Sequence, residues 1–94
     1  MASEICKRLI VQGLVQGVGY RASTLAQSVE IVNLKGSVRN LPNGNVEILV
    51  QGAVASVERL IQWAHRGPPH ARVERVLVTD EDIDLKRPRF FIAY

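Results

Sequence analysis

Gly13, Gly17 and Gly19 fall within seven residues of the stretch Val11 to Arg21, VQGLVQGVGYR, and Arg21 closes it just before a segment of helical periodicity. Glycine reaches positive φ and lets main chain approach a ligand with no Cβ in the way. Successive amides in such a turn form a concave anion nest, and the N–H groups of the following helix start add to it. The amides of Gln16, Gly17, Val18, Gly19, Tyr20 and Arg21 can therefore cradle an anion. The guanidinium of Arg21 is a planar, permanently charged fork able to hold two oxygens of one phosphate. On these residues alone, a tight strand-to-helix connection is the competing reading. An arginine at the positive end of a helix is electrostatically disfavoured unless an anion lies near it, which points toward the first reading.

Other residues with chemical potential are fewer. Asn40 stands ahead of Leu41-Pro42 and, from the residues alone, reads as a turn-forming asparagine. Arg39 falls on the opposite strand face by alternation and is assigned no catalytic role. His65 and His70 lack ligand partners at metal-binding spacing and read as exposed residues flanking Gly67-Pro68-Pro69. The acids between Asp80 and Asp84 lack the glycine and terminal glutamate of a calcium loop and read as a solvated turn. Cys6 is the only cysteine, which excludes an internal disulfide and a cysteine-based zinc site; a buried, inert thiol is expected. Neither metal nor cofactor is expected.

The elements that must position these residues are legible from periodicity. Ile5 to Gln12 reads as a strand that delivers the chain into the glycine loop. From Arg21 to Val32, residues Ala22, Leu25, Ala26, Val29 and Val32 follow one helical face, and Asn33 stands where a left-handed residue ends a helix. Lys35 to Asn40 and Val46 to Gln51 read as an antiparallel hairpin around Pro42-Asn43-Gly44. Glu47, Leu49 and Gln51 are predicted on its solvated face. A second helix from Val54 to Arg66 buries Val57, Leu60, Ile61 and Ala64, with Trp63 packing at its edge, and Gly67-Pro68-Pro69 stops it. Arg72 to Thr79 is a further strand. Pro88 to Tyr94 is the last, with Phe90, Ile92 and Tyr94 on its inner face and basic residues guarding an edge.

That order predicts an α+β, ferredoxin-like βαββαβ sandwich: two helices on one face of a mainly antiparallel sheet, with an extra short C-terminal strand. A length of 94 residues fits one domain, residues 1–94, without a second core. Apolar residues at 47% against 22% charged fit a soluble globule, and no run is long enough to span a membrane, so the cytoplasm is the expected location. A net charge of +3 mildly favours anionic ligands. A monomer is expected.

The wording of the motifs adds a resemblance. The glycine stretch closely resembles the acylphosphatase signature G-x-V-Q-G-V-G-[FY]-R, the phosphate-binding loop with its arginine. Gly36 to Glu47, GSVRNLPNGNVE, resembles the family's second signature, G-x-V-[RQ]-N-x-x-x-G-x-V-E. Gly67-Pro68-Pro69 with Ala71-Arg72-Val73, and Phe90-x-Ile92-x-Tyr94, are similar to two later blocks, so the resemblance runs through nearly the whole chain in order. Ser37 departs from an aromatic common in the family, Asn33 from a frequent glycine, and one additional residue separates Arg21 from Asn40. A bulge after the first helix would absorb that residue; a slip of strand register would instead turn Asn40 away.

The resemblance implies the same fold and a metal-free hydrolysis of small acyl phosphates to carboxylate and phosphate. It implies phosphate, as product or inhibitor, on residues 16–21, with Arg21 and Asn40 catalytic and Asn40 orienting the attacking water. The competing readings are a catalytically inactive anion-binding relative and a nucleic-acid-binding module of the same fold. The latter would need stacking aromatics in its central strands, and Ile5 to Gln12 and Val46 to Gln51 contain none.

Overall fold

Alternation of β-branched and polar residues in four stretches, and a 3.6-residue rhythm in two, produce the elements of the chain. The computed structural model describes residues 3–94. In order these are β1 (Glu4–Leu14), α1 (Tyr20–Glu30), β2 (Lys35–Asn40), β3 (Val46–Ala53), α2 (Val54–Arg66), β4 (Arg72–Asp80) and β5 (Phe91–Ile92). β2 and α2 have the predicted bounds; β1, β3 and β4 run slightly longer, and only two residues of the last segment join the ladder.

The sheet order is β4-β1-β3-β2-β5. β1 and β2 each pair antiparallel with β3, so they run parallel to one another with β3 inserted between them. β3 and β4 likewise flank β1. The two interleaved βαβ units are the split arrangement predicted from the element order. β5 adds to β2 in parallel, through Ser37–Phe91 and Val38–Ile92.

Register places the core. Leu9 lies opposite Ile48, Val11 opposite Val46, and Val38 opposite Ile48, all fully buried on the helix side. From α2, Val57, Leu60, Trp63 and Ala64 close onto them, with Ile61 only partly covered. Trp63 is thus a core residue.

α1 differs from the periodicity reading. It spans Tyr20 to Glu30 and buries Tyr20, Thr24 and Ser28, while Val29 and Val32 are 77% and 72% exposed. Tyr20 sets this rotation. Its hydroxyl donates to the Ala64 carbonyl at 2.7 Å, and its ring packs on Trp63 with centroids 5.5 Å apart. The polar stripe below it is affordable because each hydroxyl is satisfied within the helix. Thr24 Oγ1 donates to the Tyr20 carbonyl and Ser28 Oγ to the Leu25 carbonyl.

The open sheet face is also not wholly solvated. Gln51 is completely buried there, because the segment joining β4 to β5 crosses over it. Gln51 Nε2 donates to the Asp84 carbonyl, and its Oε1 accepts from the Asp84 amide and from Arg87 Nε at 2.8 Å. Acids at the start of this crossover are paired: Asp80, the last residue of β4, with Lys7, and Glu81 with Arg8. Cys6 is buried, and burial pushes its thiol pKa up, as expected of an inert thiol.

Gly36 is required by close approach. At φ 135°, a Cβ placed there would sit 1.8 Å from the Leu49 carbonyl oxygen of β3. Gly36→Ala is expected to cost more than about 2 kcal/mol, read as a lower denaturation midpoint at unchanged m-value. A second expectation concerns Tyr20, whose phenol pKa burial raises above its ordinary value near 10. The raised value means that the folded state keeps its proton longer than the unfolded one, so this stability is complete below about pH 10 and declines above it. Tyr20→Phe should lose about 1–2 kcal/mol at neutral pH, and urea unfolding should show its gap from the native chain narrowing as pH rises through 10.

Candidate active site

The glycine loop owes its shape to two left-handed residues, Gly17 at φ 74° and Gly19 at φ 78°. A Cβ at either would meet nothing within 4 Å, so the requirement for glycine is conformational rather than steric. Gly19 is also the N-cap of α1. No side chain caps this end and no acid occupies its first turn, so neither competes with an external anion for its amides.

Gly17, Gly19, Tyr20 and Arg21 line one side of a cleft of about 180 Å³, and Asn40 joins them from the end of β2. Asn40 pairs with Val46, a buried residue of the helix-side face. The additional residue between Arg21 and Asn40 therefore does not turn Asn40 to the open face. Asn33 takes φ 58° in the connection after α1, the left-handed conformation expected of it. Arg39 lies across from Glu47 on the open face, where its Nε donates to Glu47 Oε1 at 2.8 Å. His65 and His70 are exposed, and among the described residues no three His, Cys, Asp or Glu side chains cluster as metal ligands.

The other loop residues have different surroundings. The Gln16 side chain does not line the cleft; its Nε2 donates to the carbonyls of both Leu41 and Asn45 at 2.8 Å. It thereby ties the glycine loop to the turn that follows Asn40. Val18 packs against the core, and the side chain of Tyr20 points to α2, leaving main chain as the part of these residues able to meet a ligand.

Arg21 makes no ion pair among the described residues. Its guanidinium carbon lies 5.1 Å from the centroid of the Tyr94 ring, within cation–π range. Tyr94 was predicted on the inner face of the last strand; it is instead 99% exposed and lines the cleft with Ile92. Alternation along the segment did not reveal this, because regular pairing with β2 ends at Ile92 and Tyr94 lies beyond it. The signal lies in the pairing of β5 with β2, which brings the chain end to the start of α1.

Main-chain amides, a guanidinium without an ion pair among the described residues and a carboxamide thus share one cleft, an arrangement chemically able to take an oxyanion. The acylphosphatase family model matches residues 7–92. The chain is similar to an acylphosphatase of Acaryochloris marina, 45% identical over 83 residues that cover 88% of each protein. It is also 48% identical over 79 residues to one from an Acidovorax species, covering 84% of this chain and 80% of that protein. Among solved structures, acylphosphatase from Bacillus subtilis superposes with a TM-score of 0.89 at 32% identity, over 96% of this chain and 99% of that one. The match over most of its length, together with the shared fold, places this chain in the acylphosphatase family.

Proposed function

We propose that the cleft hydrolyses the carboxyl–phosphate bond of small acyl phosphates, with each residue acting as follows. Family membership makes the chain a hydrolase of the acylphosphatase type. The amides of the Gln16 to Arg21 loop and the Arg21 guanidinium hold the phosphoryl oxygens. Asn40 accepts a hydrogen from a water and donates to a phosphate oxygen, aligning the water with the leaving group. The water oxygen bonds to phosphorus as the bond to the acyl oxygen breaks. The electron pair leaves with the carboxylate, and the water's protons go to phosphate and solvent.

A carboxylate leaves without being protonated, so no general acid is required of the protein. The developing charge is on phosphoryl oxygens, and fixed donors stabilise it without a metal. The observation that carries this reading is the meeting of Arg21 and Asn40, from separate elements, in one cleft with the left-handed glycine loop. Phosphate, the product, fits the same cradle and should inhibit. The reading takes residues 1–94 as one acylphosphatase-like domain, a cytoplasmic monomer acting on a small anion. Against nucleic-acid binding, the open face crosses its strands with Arg8–Glu47–Arg39 ion pairs, and β1 and β3 carry no aromatic ring.

The test is release of benzoate from benzoyl phosphate in excess chelator. The native chain should turn over; Arg21→Ala and Asn40→Ala should each lose about 100-fold or more in kcat while remaining folded. Full activity in either variant would remove that residue from the mechanism, and loss of native turnover in chelator would refute the metal-free route. Inorganic phosphate should also raise the native chain's melting temperature, and Arg21→Ala should abolish that shift.

A further inference from the structure

The phosphate end of the cleft is accounted for by the glycine loop, Arg21 and Asn40, which leaves the acyl end to be assigned. Five lining residues have apolar surface: Val15, Tyr20, Ala22, Ile92 and Tyr94, of which Tyr20 turns its ring into the interface with α2. Val15 is 1% exposed and its side chain is spent on the core. Ala22 offers one methyl group. What remains to contact an acyl group is the β5 segment, half-buried Ile92 and the exposed ring of Tyr94.

Tyr94 is held at this position by more than its neighbours in sequence. β5 pairs with β2 up to Val38–Ile92, and the Ala93 amide donates to the Val38 carbonyl at 2.8 Å, so the backbone is anchored up to the residue before it. The Arg21 guanidinium carbon lies 5.1 Å from the centroid of the ring, within cation–π range. A guanidinium presents its N–H groups edgewise, in its own plane, to a phosphate, so a ring near it need not occupy them. The same contact therefore leaves phosphate binding intact and sets an aromatic surface beside it.

We propose that the Tyr94 ring, supported by Ile92, is the acyl-side wall of the cleft and sets a preference for acyl phosphates with a flat, apolar acyl group over short aliphatic ones. The assignment rests on the acylphosphatase reading above and adds the identity of the leaving group's contact. Ring-on-ring or ring-on-apolar contact supplies the discrimination, which does not involve the phenol hydroxyl.

The experiment compares kcat/KM for benzoyl phosphate and acetyl phosphate in the native chain, Tyr94→Ala and Tyr94→Phe, together with inhibition by inorganic phosphate. Tyr94→Ala should lower the benzoyl-to-acetyl ratio about five- to tenfold, chiefly through KM for benzoyl phosphate, and Tyr94→Phe should keep the native ratio. The phosphate inhibition constant should move less than the ratio does. An equal loss on both substrates, with weaker phosphate inhibition, would mean that the ring only props Arg21 and would overturn the proposal. So would an unchanged ratio in Tyr94→Ala. If the native chain turned over neither substrate, the activity reading would itself fall, an outcome distinct from these.

Discussion

The site depends on how the first turn of α1 is anchored. Tyr20 follows the left-handed Gly19 directly, and its side chain enters the interface with α2, hydrogen-bonded to Ala64 and packed on Trp63. A buried aromatic with a satisfied hydroxyl has little rotational freedom, so it fixes both the helix's rotation and the exit of the loop. Arg21, the next residue, is thereby set at the cleft, about 100° further round the helix. The side chains of Thr24 and Ser28 are buried as a consequence, and the valines that periodicity would have placed inside stay in solvent.

Two cross-ties bring the remaining parts to that anchor. Gln16 holds the loop to the carbonyls of Leu41 and Asn45, so the loop and the end of β2 cannot move apart without breaking two hydrogen bonds. On the far side of the sheet, buried Gln51 holds the long crossover from β4 toward β5 through Asp84 and Arg87. That crossover carries the chain from one sheet edge to the other, which is how Ile92 and Tyr94 reach the cleft. Each glutamine pairs its amide with backbone of the segment it holds, and in buried Gln51 both the nitrogen and the oxygen of the carboxamide are satisfied.

The chemistry explains why such a shallow construction suffices. An acyl phosphate has a good leaving group, so the protein has only to hold charge and place water. Main-chain donors in a preorganised turn cost no reorganisation during reaction, and in the proposed mechanism Arg21, free of ion pairs among the described residues, is available to the substrate. Among the described residues no Asp or Glu side chain lines this cleft, which keeps the side-chain field favourable to an anion.

Most of the element order and the left-handed glycine loop was legible in the sequence because those features are local. Glycines at 17 and 19, the arginine at 21 and the Pro42-Asn43-Gly44 turn act through backbone conformation and charge within a few residues. Alternation also put Val46, Ile48 and Val50 on one face, where the structure buries them. What the tertiary structure decided was non-local. Whether Asn40 faces the cleft depended on the β2–β3 register, a one-residue matter that spacing left open. The rotation of α1 followed from Tyr20's contact with α2, which outweighed the apolar period of the helix's own residues. Gln51 is buried and Tyr94 exposed because of where the last segment crosses and pairs, and no periodicity within either strand encodes the path of a distant chain across it.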